Sequence, residues 1–211
     1  MKRQHILRVA MMARPQTSTP PPTGVTWNPS GLTSSLSLSG LNLIATRTAS
    51  NPSQYGSVLG TATNGGSDKY FEVLIGGPTG SPFIMIGIAT GTLPTNKAPG
   101  DASDPTSCGF YMQDGSAWRN GSSHAYGGAF TAGDVIGVAL KASTGQLFFS
   151  KNGIWQNSGD PAAGTNPAFS SVATTMYPAV ALYQTSQSGT GHFKSSDLTY
   201  TPPSGFVAWD P

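Results

Sequence analysis

Gly133-Asp134-Val135-Ile136-Gly137-Val138-Ala139-Leu140, followed by Thr144-Gly145-Gln146-Leu147-Phe148-Phe149-Ser150-Lys151-Asn152-Gly153, reads as a β-hairpin. Two apolar, β-prone segments flank a short glycine-containing turn, and a second glycine turn closes the pair. Asp134 after Gly133 suits a turn leading into a strand. Asn152-Gly153 suits a turn that needs positive φ. A pair of strands this well marked sets the fold class, and the question becomes how many more strands surround it.

The chain has 211 residues, room for one sizeable domain. It carries 27 Gly and 17 Pro, and only 9% of its residues are charged, a composition that suits many short strands joined by turns. Aromatic and β-branched residues fall in discrete clusters, which favours a packed core over disorder. Leu36, Leu38 and Leu41 to Ile44 bracket a Ser-Gly turn, and residues 57–61 form another short strand. Lys69 to Ile75 is strongly β-prone. Pro82 to Ala89 is apolar on both faces, as expected of a central buried strand. Cys108 to Gln113 is a further strand, and the Gly/Ser-rich stretch after it, with Trp118, Arg119, His124 and Tyr126, reads as a loop. Residues 90–107 and 153–171 read as long loops, and Tyr177 to Tyr183 as a strand. About a dozen short strands fit an all-β, two-sheet antiparallel β-sandwich.

Residues 1–25 differ from the rest. Lys2, Arg3, Arg8 and Arg14 lead into a Thr/Ser/Pro-rich stretch ending in Pro20-Pro21-Pro22, so 1–25 reads as a basic, extended N-terminal arm and 26–211 as the sandwich. A short helix fits 4–13. The arm holds four basic residues and no acid; the other seven Lys/Arg face nine Asp/Glu. The folded part therefore lacks the basic face of a nucleic-acid binder. Arg8 and Arg14 break the apolar stretch of a would-be signal peptide, and no run reaches the roughly 18 apolar residues of a membrane-spanning helix. Cys108 is the one cysteine, so no internal disulfide forms, and a small buried residue is its ordinary reading.

The strand motifs, taken in order, resemble the SPRY domain, a concanavalin A-like sandwich. The matching pieces are Lys69-Tyr70-Phe71-Glu72-Val73, Ile86-Gly87-Ile88-Ala89, Cys108-Gly109-Phe110-Tyr111, and Phe130 before the hairpin at 133–153. Pro167-Ala168-Phe169, Tyr177-Pro178-Ala179-Val180 and Pro202-Pro203-Ser204-Gly205-Phe206 complete the set, so the likeness spans about 28 to 209. Lys141-Ala142 stand where the family often has an acidic residue, and the extra N-terminal subdomain of many eukaryotic members is missing.

The resemblance implies a binding or structural role with no cofactor, and the residues offer little chemistry. Glu72 is the sole glutamate, the aspartates sit mostly in turn contexts, and no strand carries two acids at i, i+2, so glycoside hydrolysis lacks its pair of carboxylates. His5, His124 and His192 show no metal-ligand spacing. In SPRY-like sandwiches ligands meet loops at one end of the sheets, which makes Trp118, Arg119, Tyr126 and Trp155 the candidate ligand surface. The Gly/Ser/Thr/Ala-rich style and the short basic arm resemble bacteriophage examples of the module. That likeness implies a virion component of tail, fibre, baseplate or head surface, assembled in the host cytoplasm. Its arm residues Lys2, Arg3, Arg8 and Arg14 would dock to other virion proteins, with a host-surface glycan or protein as ligand and a homo-oligomer in the assembly. The alternative is a lectin-like or peptide-binding adaptor module outside a virion.

Overall fold

A computed structural model describes residues 23–210 except 50–53, 79, 81 and 82. The arm's four basic residues and the helix expected over 4–13 lie outside the described residues. Fourteen strands follow in chain order: β1 Leu36–Ser39, β2 Ile44–Arg47, β3 Gly56–Leu59, β4 Lys69–Gly76, β5 Met85–Ala89, β6 Cys108–Tyr111 and β7 Ser116–Arg119. Then come β8 Ser122–Ala125, β9 Val135–Lys141, β10 Gln146–Lys151, β11 Ile154–Trp155, β12 Tyr177–Leu182, β13 Ser188–His192 and β14 Val207–Ala208.

They form two sheets. Sheet 1 runs β1-β2-β13-β4-β9-β10-β11, with β14 added in parallel to β4; sheet 2 runs β3-β12-β5-β6-β7-β8. Every other pairing is antiparallel. The expected all-β sandwich is present.

Strand alternation builds the core. Phe71, Val73 and Ile75 of β4, Ile136, Val138 and Leu140 of β9, and Leu147 and Phe149 of β10 face Ile86 and Ile88 of β5, Phe110 of β6, and Val180 and Leu182 of β12. Phe110 stacks on Phe149 across the layers, with ring centroids 5.1 Å apart and planes 13° apart. The opening hairpin is β9–β10, in register from Ile136↔Lys151 to Lys141↔Gln146. Its closing turn has Asn152 at φ 50° and Gly153 at φ 77°. Asn152 does more than turn the chain. Its Oδ1 accepts from Val135 N at 2.8 Å and its Nδ2 donates to Asp134 Oδ1 at 2.7 Å, locking strand start to strand end.

The outward positions of the two sheets meet different fates. On sheet 1, Tyr70, Ala139 and Phe148 are covered by Leu198, Phe206 and Trp155. Glu72, fully buried on the same face, ties the covering segment down: Oε2 accepts from Thr199 N at 2.7 Å, Oε1 from Tyr200 N at 2.8 Å and from Tyr70 Oη at 2.9 Å. On sheet 2, Ala89 and Ala179 lie under Leu59 and Leu93, while Met85 and Ala181 are ringed by aromatic residues.

Two loop readings are corrected. The long loop expected over 153–171 opens with β11, paired to β10 at Lys151↔Ile154 and Ser150↔Trp155. The stretch read as a Gly/Ser loop after Gln113 holds the hairpin β7–β8, registered Ser116↔Ala125 to Arg119↔Ser122. Its two-residue turn is Asn120 (φ 51°) and Gly121 (φ 71°), both left-handed, which matches the twist of a tight hairpin. Ser, Gly and Ala are poor strand formers by propensity, and pairing to β6 overrides that.

Candidate interaction groove

Trp118 sits on β7, not on a loop. Alternation places it on the outer face of sheet 2, opposite Gly109 of β6 and beside Tyr111. Five rings continue in contact from there: Trp118–Tyr111 at 6.0 Å, Tyr111–Phe83 at 6.3 Å, Phe83–Tyr183 at 5.1 Å and Tyr183–Tyr55 at 5.3 Å. All five are half-buried, so each presents part of its ring to solvent. Three of them, Trp118, Tyr111 and Tyr55, line with Met85 a groove of about 280 Å³ whose far wall is Ala98, Gly100 and Asp101. Ligand pockets usually start at about 300 Å³. This groove is therefore sized for one or two side chains of a larger partner rather than for a cofactor.

The rings are held in place. Trp118 Nε1 donates to Ser116 Oγ at 2.8 Å, and Ser116 Oγ donates to Asp114 Oδ1 at 2.6 Å. Tyr111 Oη donates to Gln113 Oε1 at 2.9 Å. Burial, reinforced by Tyr111, pushes the Tyr55 phenol above its ordinary range, so it stays a neutral donor. Gly100 packs its backbone on Trp118: at φ 98°, a Cβ there would lie 2.8 Å from Trp118 Cβ. Asp101 is the one acid on the wall. Burial acts to raise its carboxyl, but the Ser103 N–H and Lys97, 3.6 Å away, hold it below its usual range.

The four residues expected to form the ligand surface are not brought together. Only Trp118 lines the groove. Arg119 points to the opposite face, where its two terminal nitrogens donate to the carbonyls of Ser170 and Ser171 at 3.1 Å each. Tyr126 is buried, packed on Phe110 and Phe149, and burial pushes its phenol up to about 12. Trp155 lies on the other sheet, its ring 6.0 Å from Tyr70. Arg119 and Tyr126 thus serve the sandwich itself. The remaining rings of the aromatic chain, Tyr55, Phe83, Tyr111 and Tyr183, were visible in the sequence only as strand-end aromatics; the signal was their alternation with the core residues Ile84, Ile86 and Phe110.

The chemistry elsewhere is structural. Burial pushes the Cys108 thiol up to about 12, which removes it as a nucleophile at neutral pH. Glu72 has every lone-pair direction engaged. Burial would raise its carboxyl, yet His192 and the backbone donors of Thr199 and Tyr200, with Tyr70, hold it below its ordinary value. Among the described residues, no three His, Cys, Asp or Glu side chains gather as a metal site, and no helix is long and apolar enough to cross a membrane. A second depression, of about 210 Å³ and lined by Leu32, Leu59, Leu93 and small polar residues, has no aromatic wall.

The SPRY domain family matches residues 68–195, more than half of the chain. The chain belongs to the SPRY family. The match covers β4 to β13 and so contains most of the groove, Tyr55 apart. Among curated relatives, a Drosophila melanogaster Ran-binding proteins 9/10 homolog is 32% identical over 114 residues, 54% of this chain and 11% of that protein. The Dictyostelium discoideum dual specificity protein kinase splA is 33% identical over 144 residues, 65% of this chain and 6% of that protein. The chain thus spans about a tenth or less of these relatives. Among solved structures, the SPRY domain of human HERC1 superposes with a TM-score of 0.65 at 17% identity, covering 83% of this chain and 99% of that one. A human SPRY domain gives a TM-score of 0.59 at 21% identity, covering 75% and 94%. These SPRY structures share the sandwich and, at such identities, the fold alone.

Proposed function

We propose that this SPRY domain is a non-enzymatic protein-interaction module that holds an extended, largely apolar peptide segment in the aromatic groove of sheet 2. The observation that carries the reading is the unbroken chain of five half-buried rings, three of which, Trp118, Tyr111 and Tyr55, line the groove beside Met85. Half-exposed Tyr and Trp on a rigid sheet are the residue types that dominate binding energy, since they bury large area at little entropic cost. The Ran-binding protein 9/10 relatives, by their name, bind a protein, which supports the same class of role. A virion role was expected from the basic arm, its charge contrast with the domain and the resemblance to bacteriophage examples of the module. The relatives named above are eukaryotic and none is a virion component, so the peptide-binding alternative is the better supported.

Selection from a displayed random-peptide library tests this directly. Enriched peptides should bind the intact chain, and Tyr111→Ala should weaken them about tenfold or more, the usual effect of removing an aromatic anchor, while leaving thermal unfolding cooperative. A library that yields no binder, or binders indifferent to Tyr111→Ala, would count against the groove.

A further inference from the structure

The edge of sheet 2 next to the groove is unprotected. All four residues of β8, Ser122-Ser123-His124-Ala125, are exposed. Natural edge strands are usually blunted by Lys, Pro, a bulge or a covering segment. This strand has no Lys, Arg, Asp or Glu and no proline. The other edge of sheet 2 differs: β3 is covered by Ser57 N donating to Thr95 O and Asn28 N to Leu59 O, each at 2.8 Å.

The hairpin fixes which groups face outward. In a two-residue hairpin the pair flanking the turn exchanges both hydrogen bonds, and every second pair does so again. Arg119↔Ser122 and Ala117↔His124 are those pairs. The N–H and C=O of Ser123 and Ala125 therefore point away from β7, and no other backbone group among the described residues meets them.

We propose that β8 is a self-pairing edge, taking the β8 of a second copy of this chain as an antiparallel strand. The register follows from the free groups. Ser123 pairs with Ala125 of the second copy and Ala125 with its Ser123, so the two His124 residues face each other at the two-fold axis. Two residues flanking a central one are complementary to their own antiparallel image, and a strand without Lys, Arg, Asp or Glu brings none of those side chains together there. The same side of the molecule exposes Ile154 of β11, 71% accessible, joined to the β8 side by Gly128 N donating to Gln156 Oε1 at 3.0 Å. Pairing would bring Ile154 of each copy toward the interface rim. A four-residue ladder buries less than the roughly 1,200 Å² of a stable interface, so the dimer forms in a concentration-dependent equilibrium. The axis stands perpendicular to the sheet, so both grooves face the same way, with the two Trp118 residues about 15 Å apart by strand spacing. Two grooves side by side would let one ligand with two copies of its motif bind by avidity.

Sedimentation equilibrium of the full chain, over a wide concentration range, reads the association. Ser123→Pro removes an outward donor and leaves the hairpin bonds intact, since proline is tolerated where the N–H faces solvent. It should weaken dimerisation about tenfold or more. Cysteine cross-linking checks the register. Facing residues of a non-hydrogen-bonded pair lie about 4.5 Å apart, inside disulfide range, so His124→Cys should give a disulfide-linked dimer under mild oxidation. Ser122→Cys, well off the axis, should not, and Cys108 is buried and silent in both. A chain that stays monomeric throughout, a Ser123→Pro dimer as strong as wild type, or His124→Cys cross-linking no faster than Ser122→Cys would each overturn the proposal.

Discussion

Glu72 shows how much a single side chain can decide. Its neighbours Phe71 and Val73 point into the core, so alternation sends Glu72 to the outer face of sheet 1. There it accepts two backbone N–H groups and a phenol, and lies 3.5 Å from His192 Nδ1. His192 is its partner across the sheet, from β13, while two further donors come from a segment 127 and 128 residues away, which a strand pattern does not disclose. Glu72→Gln should cost about 2–4 kcal/mol, as a buried charge-assisted network is broken, measured by urea unfolding at neutral pH. The pH dependence has a definite sign. The Glu72 carboxyl is held below its ordinary value in the folded chain. Its contribution is therefore full above the unfolded-state value of about 4.3 and is lost as pH falls through the lower folded value. Glu72→Gln should flatten the acid side of the stability curve; an unchanged acid limb would contradict the assignment.

The two hairpins explain at the scale of elements what the sequence could and could not disclose. β9–β10 was legible because Val, Ile, Leu and Phe alternate between two ends marked by Gly133-Asp134 and Asn152-Gly153. The turn is also energetically exposed. Asn152→Ala puts at φ 50° a residue that tolerates the left-handed region less well than Asn, and removes both Val135 and Asp134 contacts. It should destabilise the chain by about 1–3 kcal/mol, read from thermal unfolding, with Asn152→Gly recovering part of the loss. β7–β8 carried the same kind of turn signal in Asn120-Gly121, but its strands are Ser-Ala-Trp-Arg and Ser-Ser-His-Ala. One strand is fully exposed, so it needs no apolar face, and periodicity had nothing to register. The groove was missed for a related reason. Tyr55, Phe83, Tyr111 and Tyr183 belong to four separated stretches, and only the order of strands in sheet 2 makes them neighbours. The four residues picked as loop aromatics and arginine failed as a group because two of them, Arg119 and Tyr126, satisfy the sandwich's own carbonyls and core.

At the scale of the whole molecule, the sandwich has one closed face and one open one. The segment through Leu198, Thr199, Tyr200 and Phe206 covers the outer side of sheet 1, and Glu72 fastens it there. Sheet 2 is covered at Ala89 and Ala179 by Leu93 and Leu59 and along one wall by Ala98 and Gly100, and between these the rings of Tyr55, Tyr111 and Trp118 beside Met85 border the groove. That asymmetry sets up the central claim: ligand binding belongs to the face that carries Trp118, not the face that carries Trp155. Both tryptophans are half-buried and both pack on a tyrosine, at 6.0 Å in each case, so they are matched controls for each other. The decisive measurement is calorimetric titration of a library-selected peptide into wild-type chain, Trp118→Ala and Trp155→Ala. Trp118→Ala should weaken binding by about tenfold or more and Trp155→Ala should leave it unchanged; equal losses in both, or a loss confined to Trp155→Ala, would contradict the account.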